Sequence, residues 1–307
     1  MKTPILALSA ALALAACGGG DGNTGSISVG VTDAPVDNAD AVVVTFTGVE
    51  LLDSNGNTAE SFTLDSPQSI DLLALQGSNS EFLVSGETVV AGSYEEVRLL
   101  VDTENASCQN LSAPFASYIT IDGTDYPLVV PSGGSSGLKV KGPITVAAGG
   151  NAAYTVDFDL RKSVSERGGT GCYNLRPVLR VVDNAQVGTL SGRVDGALLA
   201  DANCTSDPVT GEGASVYVYT GADATPVDVD GSDPDPLSSA LLTPTDDQTG
   251  DFTYELGFLL AGDYTAAFTC QAGDDDPEAS DTIAFGPVAN VTIQADTVTT
   301  QDFNLSP

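Results

Sequence analysis

No stretch of this 307-residue chain repeats apolar residues at helical spacing over three turns, and this limits its fold most. Apolar residues instead alternate with polar ones in short runs. Ile27, Val29 and Val31 alternate with Ser28, Gly30 and Thr32, and Val97, Leu99 and Val101 share one face of the run 92–102. Turn clusters such as Asp53-Ser-Asn-Gly-Asn57 and Asp122-Gly123 separate the runs. The pattern predicts an all-β protein. Strands are expected at 26–32, 41–51, 69–76 (leading into a helical turn), 92–102, 118–130 (a hairpin), 138–146, 151–160 and 173–182. A second set is expected at 187–194, 214–220, 251–257, 262–270, 288–293 and 297–305. Two tandem β-sandwiches accommodate them.

The N-terminus reads as an export signal. Lys2 precedes the apolar run Ile5-Leu-Ala-Leu-Ser-Ala-Ala-Leu-Ala-Leu14, followed by small residues. The run is shorter than the roughly 20 residues that span a bilayer. Leu14-Ala15-Ala16-Cys17 resembles the bacterial lipobox. That resemblance implies removal of residues 1–16, acylation of Cys17 and a membrane partner held through lipid. Residues 17–25 then form a flexible tether. Gly18 after the Cys resembles outer-membrane sorting, so a lipid-anchored place in the bacterial envelope is expected.

Composition excludes several chemistries. The chain has no His, so a Ser-His-Asp or Cys-His nucleophile cannot be assembled, and the commonest zinc ligand is missing. It has no Trp, which weakens a sugar-stacking platform. A formal net charge of -32 repels nucleic-acid phosphates, so no nucleic-acid partner is expected. Apart from Cys17 there are four Cys: Cys108, Cys172, Cys204 and Cys270. In an exported chain they read as disulfides; free thiols or a metal site are the alternative, disfavoured without His or a C-x-x-C. Charge marks a domain boundary between Cys172 and Cys204. From residue 188 onward Arg193 is the one base against 21 acids, whereas nine bases and 21 acids precede it. One bridge per domain gives Cys108–Cys172 and Cys204–Cys270.

Two family resemblances follow. Ser26-Ile-Ser-Val-Gly-Val-Thr-Asp-Ala-Pro35, Asp71-Leu-Leu-Ala-Leu75, Gly92-Ser-Tyr-Glu-Glu-Val-Arg98, Asp157-Phe-Asp-Leu-Arg-Lys162 and Leu175-Arg-Pro-Val-Leu-Arg180 resemble an uncharacterised family of bacterial lipoprotein domains. The resemblance covers residues 26–186 and implies no known activity, ligand or catalytic residue. Gly192-Arg-Val194, Gly213-Ala-Ser-Val-Tyr-Val218, Thr245-Asp-Asp-Gln-Thr-Gly250 and Leu260-Ala-Gly-Asp-Tyr264 resemble the carboxypeptidase regulatory-like, or transthyretin-like, sandwich. Such modules are accessory, stabilising or adhesive. The expected organisation is thus a signal peptide (1–16), a lipidated tether (17–25), a domain of unknown function (26–187) and a regulatory-like domain (188–307), both Ig-like or transthyretin-like sandwiches.

Four charged features are candidate sites. The loop Asp228-Val-Asp-Gly-Ser-Asp-Pro-Asp235 offers Asp228, Asp230, Asp233 and Asp235 as calcium ligands, though Gly231 comes too early for an EF-hand and no Glu closes the loop. A solvated acidic insertion is the preferred reading, with weak Ca²⁺ association at most and no other cofactor. The run Asp274-Asp-Asp-Pro-Glu-Ala-Ser-Asp281 reads as a polar hairpin loop. In Val156-Asp-Phe-Asp-Leu-Arg-Lys162, Asp157, Asp159 and Arg161 are expected on one strand face. Arg98, Lys139, Lys141, Arg161, Arg176 and Arg180 are expected to pair across strands with Glu96, Asp157 and Asp159, or to form a platform for an anionic glycan or a protein. The function expected is a non-enzymatic envelope lipoprotein that binds a protein or glycan; the alternative is a carboxylate-dependent hydrolase acting on glycans.

Overall fold

A computed structural model describes residues 22–34, 39–104, 108, 112, 114–131, 133–246 and 249–304. The signal segment 1–16, Cys17 and the tether up to residue 21 lie outside the described residues. The first twelve strands are β1 (Thr24–Ala34), β2 (Ala41–Leu52), β3 (Thr58–Asp71), β4 (Glu81–Val90), β5 (Gly92–Val101), β6 (Tyr118–Ile121), β7 (Thr124–Val129), β8 (Leu138–Val146), β9 (Asn151–Asp159), β10 (Val164–Glu166), β11 (Tyr173–Leu175) and β12 (Val178–Asp183). They form two sheets. One has the order β12-β9-β1-β4; the other has the order β10-β11-β7-β6-β2-β5-β8, with β3 paired to β2. Between them lies one core in which Phe46 and Phe158 meet edge-on at 6.3 Å, surrounded by Val, Ile and Leu side chains.

The remaining strands are β13 (Val187–Val194), β14 (Ser215–Thr220), β15 (Ser238–Leu241), β16 (Thr243–Pro244), β17 (Phe252–Leu260), β18 (Gly262–Thr269), β19 (Phe285–Ile293) and β20 (Val298–Thr300). They make two four-stranded sheets, β16-β17-β13-β20 and β15-β14-β18-β19, around a second core containing Phe252, Phe268 and Phe303. Nearly all regular structure is therefore strand, arranged as two β-sandwiches. Each carries one disulfide, Cys108–Cys172 and Cys204–Cys270, with Cα atoms 5.5 and 5.1 Å apart.

Local chemistry explains the turns. Asp53 accepts from the amides of Asn55 and Asn57 at 2.8 and 2.9 Å, and Gly56 takes φ +77° at the β2–β3 tip. The stretch expected to be one strand over 173–182 is two. Pro177 cannot continue a ladder, and the chain leaves one sheet at Leu175 and enters the other at Val178. Buried Ser163 pins both sides of that break: its carbonyl accepts from Arg176 N at 2.8 Å and its hydroxyl from Val178 N at 2.8 Å.

Candidate functional site

Four of the separated motifs in the first sandwich meet at one end of it, Asp71–Leu75 through the Leu75 carbonyl, which accepts from Thr32 Oγ1 at 2.9 Å. β1 and β9 pair in parallel, with Thr32 opposite Asp157 and Ala34 opposite Asp159, while β12 sets Arg180 opposite Asp157. Asp157, Asp159 and Arg180 thereby come together, and Asp33 lies close enough to feel the two carboxylates. Arg161 and Lys162 join them from the helical turn Leu160–Ser163. Arg161 was expected on the strand face of Asp157 and Asp159, and the structure corrects this. The Asp159 carboxylate accepts from Lys162 N at 3.3 Å and caps the turn, which ends the strand one residue before Leu160.

The electrostatics of this cluster are severe. Arg180 Nε donates to Asp157 Oδ2 at 2.6 Å, and Lys162 Nζ lies 3.2 Å from Asp159 Oδ2. Burial still pushes the carboxyls of Asp157 and Asp159 above their ordinary values, against the pull of these cations. Asp33 is pushed well above its ordinary value, first by burial and then by the charges of Asp157 and Asp159. Neither Asp33 oxygen has a hydrogen-bond partner among the described residues.

The second sandwich closes over this end. Arg161, 3% exposed, donates from Nη1 to the Tyr217 hydroxyl (2.8 Å) and the Ala272 carbonyl (3.0 Å), and from Nη2 to Ser215 Oγ (3.4 Å). Its guanidinium sits 5.2 Å from the centre of the Tyr217 ring. Tyr217 in turn donates to Asp275 Oδ2 at 2.7 Å, and Asp275 also accepts from Val229 N at 3.1 Å. Lys162 Nζ pairs with Asp235 and bonds the Pro236 carbonyl. On the flank, Ser78 donates through N and Oγ to Glu255 Oε1 at 2.8 and 2.7 Å. The joint is thus polar, buried and bonded from both sides.

The cross-strand pairs expected elsewhere are partly rearranged. Arg98 pairs with Glu50 on the neighbouring β2 at 2.7 Å, and Glu96 is 3.7 Å from Lys139. Beside the joint runs a groove of about 710 Å³ on the outer face of β13 and β17, lined in part by Gln76, Asn79, Arg193, Thr253, Glu255 and Asp302. Its carboxylates are engaged: Glu255 with Ser78, and Asp302 Oδ1 with Arg193 N at 2.8 Å. Hydroxyl, amide and guanidinium groups of this kind hydrogen-bond a polyol or a polar peptide.

The acidic insertion is exposed at its tip, residues 231–234, but anchored at its base. Val227 and Val229 fold it down onto Tyr217 and Tyr219, which form a small apolar cluster on the outer face of β14. Tyr219 donates to the Val227 carbonyl at 2.5 Å. Three of the four candidate calcium ligands are engaged locally. Asp228 accepts from Asp281 N, Asp230 from Ser232 N at 2.8 Å, and Asp235 from Asp230 N at 3.3 Å, while Asp233 is exposed. Among the described residues no group of three or more acidic or Cys side chains is placed to hold a metal ion. No described helix is long and apolar enough to cross a membrane. Tyr217 is absent from the sequence-based candidates, and Asp275 enters them only within the acidic run 274–281, read as a polar hairpin loop. The readable signal is Ser215-Val-Tyr-Val-Tyr-Thr220, an apolar run without alternation, which marks a strand covered on both faces.

Paired, disulfide-bonded β-sandwiches joined through a buried charge network define an all-β, two-module protein. Residues 24–177 match the family described as "Domain of unknown function (DUF4382)", and the chain belongs to that family. No curated protein matches the chain. Among solved structures, similarity is found to a leucine-rich repeat protein from Bacteroides thetaiotaomicron (12% identity, TM-score 0.24), covering 92% of this chain and 26% of that one. The TIE protein of Bacillus anthracis matches at 10% identity and TM-score 0.19, with 91% and 33% covered. The minor pilin of Streptococcus agalactiae matches at 10% identity and TM-score 0.19, with 91% and 94% covered. The chain therefore spans about a quarter to a third of the first two. TM-scores this low carry no argument about function.

Proposed function

We propose that the chain is an exported, lipid-anchored envelope module that binds a protein or glycan partner and performs no chemistry of its own. The observation that carries this reading is the state of the carboxylates. Asp157 and Asp275 are buried, Asp159 is half-buried, and all three are bonded within the joint, while Glu255 and Asp302 in the groove are already committed. A glycosidase needs two carboxyl groups about 5–9 Å apart, both open to the same sugar. Committed carboxylates do not serve one. Export is supported by the two disulfides, which persist in oxidising compartments. Anchoring is supported by the Leu14–Cys17 motif, and more than one acyl chain makes such an anchor stable. The boundary between the modules is taken at 187/188, with the second module a carboxypeptidase regulatory-like sandwich. Gly192-Arg-Val194 on β13 and the Gly262–Tyr264 start of β18 support that assignment.

Two measurements test this reading. Intact-mass analysis of the membrane fraction is expected to find cleavage before Cys17 and lipid on it; a soluble product with unmodified Cys17 contradicts the anchor. The purified full chain, incubated with envelope and extracellular polysaccharides, is expected to bind without releasing reducing ends. Release that disappears in Asp157→Asn establishes the hydrolase instead.

A further inference from the structure

We infer that the groove beside the joint binds a neutral glycan chain, held by hydrogen bonds along its hydroxyls rather than stacked on a ring. The inference rests on the binding role proposed above and narrows it to one ligand class and one place. The floor of the groove is the outer face of the sheet containing β16, β17, β13 and β20. Leu190, Val194, Phe252, Tyr254 and Leu256 turn inward to the core, so the residues alternating with them face out. The strand register sets these in two rows. Thr243, Thr253 and Arg193 lie side by side across three strands, and Glu255, Ser191 and Thr300 form the next row. Backbones of neighbours in a row are about 4.8 Å apart and the rows about 6.7 Å apart. The face is a lattice of polar side chains.

One wall of the groove comes from the first sandwich. Residues 76–79 stand over β17, where Ser78 donates twice to Glu255 Oε1. The approach is so close at Gly257 that a Cβ there would meet the Gly77 carbonyl oxygen at 2.3 Å, so glycine is required. The wall is therefore part of the fold and not formed by the ligand. Several polar groups of the groove remain open. The hydroxyls of Ser191, Thr243 and Thr300 and the carboxamide of Gln76 have no hydrogen-bond partner among the described residues.

This lining selects the ligand. Hydroxyls and a carboxamide donate and accept alike, as the hydroxyls of a sugar do. An anionic ligand would meet the carboxylates of Glu255 and Asp302, and Arg193 beside them is bonded to Asp251. An extended peptide binds by adding a strand to a sheet edge or by seating apolar anchors in pockets. Here the floor is a sheet face, and β17 and β13 are paired on both sides. Tyr254 beneath it is 3% exposed and donates its hydroxyl to the Gln301 carbonyl at 2.7 Å, so its ring is not presented for stacking. Each sugar then contributes little, and a chain crossing several strands is needed. Because Gln76 belongs to the first sandwich and Ser191 and Thr300 to the second, the bound glycan bridges the two.

Affinity electrophoresis of the full chain in mild detergent tests this, in native gels cast with arabinoxylan, glucomannan, dextran or mixed-linkage β-glucan, and with alginate as the anionic comparison. Retardation by at least one neutral polymer, and none by alginate, is expected. The double change Ser191→Ala, Thr300→Val is expected to weaken retardation about tenfold or more. Gln76→Ala on the opposite wall is expected to weaken it also, and Thr88→Val, an exposed hydroxyl on β4, to leave it unchanged. No retardation in any neutral gel overturns the inference, as does retardation by alginate equal to that by the neutral polymers. Retardation undiminished in the double variant or in Gln76→Ala also overturns it, by placing the glycan elsewhere, and leaves the broader binding role intact. Cross-linking of the anchored chain to an envelope protein separates the two claims. A cross-linked partner without any retardation removes the glycan and keeps the role; neither partner nor retardation removes both. Should the double variant fail to fold, Gln76→Ala decides alone.

Discussion

Arg161 is the residue on which the joint turns. It lies on the first sandwich, is almost fully buried, and bonds three groups of the second. Asp275, raised by burial, is drawn back by the Tyr217 hydroxyl first, then the Val229 amide and Arg161. Removing the arginine leaves this carboxylate with less compensation, a change that costs about 3–5 kcal/mol in buried pairs. Urea denaturation of Arg161→Ala is expected to show a loss of that size. Arg161→Lys is expected to recover only part of it, since an ammonium cannot reach three acceptors in the plane of a guanidinium. The acids of the joint also set a pH dependence. Asp33, Asp157, Asp159 and Asp275 all have raised values in the folded protein. Between the ordinary value of 3.8 and the raised ones, the folded state holds more protons than the unfolded state. Their contribution is therefore fully present below the ordinary value and is lost as pH rises through the raised values. The Tm is expected to fall on going from about pH 4 to neutrality, less steeply in Asp33→Asn. A Tm that rises across this window in the unaltered protein contradicts the assignment.

At the scale of elements, apolar anchors decide what an acidic segment does. The insertion between β14 and β15 reads as solvated because its Asp residues dominate the eye, yet Val229 is 1% exposed and seats the loop on Tyr217 and Tyr219. Val229→Ala removes two buried methyl groups, and thermal or urea unfolding is expected to register a loss of about 1–2 kcal/mol. Asp233→Asn, on the surface of the same loop, is expected to stay within about 0.5 kcal/mol. Most strands with one apolar face are legible in the sequence, β5 through Val97, Leu99 and Val101 among them. β4 is not legible, because it places only Leu83, Val84 and Val89 in the interior and leaves Phe82 and Val90 outside. The joint itself is invisible locally. Its acids come together only because β1 pairs in parallel with β9, some 125 residues later in the chain, and no local signal encodes that register.

The whole molecule follows from where the family motifs lie. Four of the five reach one end of the first sandwich, and that end is covered by the second. Each sandwich also carries its own covalent closure, spanning 64 and 66 residues. A loop of that length contributes about 4 kcal/mol in the chain-entropy account, so reduction is expected to lower the Tm of the full chain substantially. The central claim is that the Arg161–Tyr217–Asp275 network makes two sandwiches unfold as one. Differential scanning calorimetry of the oxidised full chain tests it most directly. The account predicts a single transition whose calorimetric and van't Hoff enthalpies agree, splitting into two in Arg161→Ala with the disulfides intact. Two separate transitions in the unaltered protein, or an Arg161→Ala profile indistinguishable from it, contradict the claim.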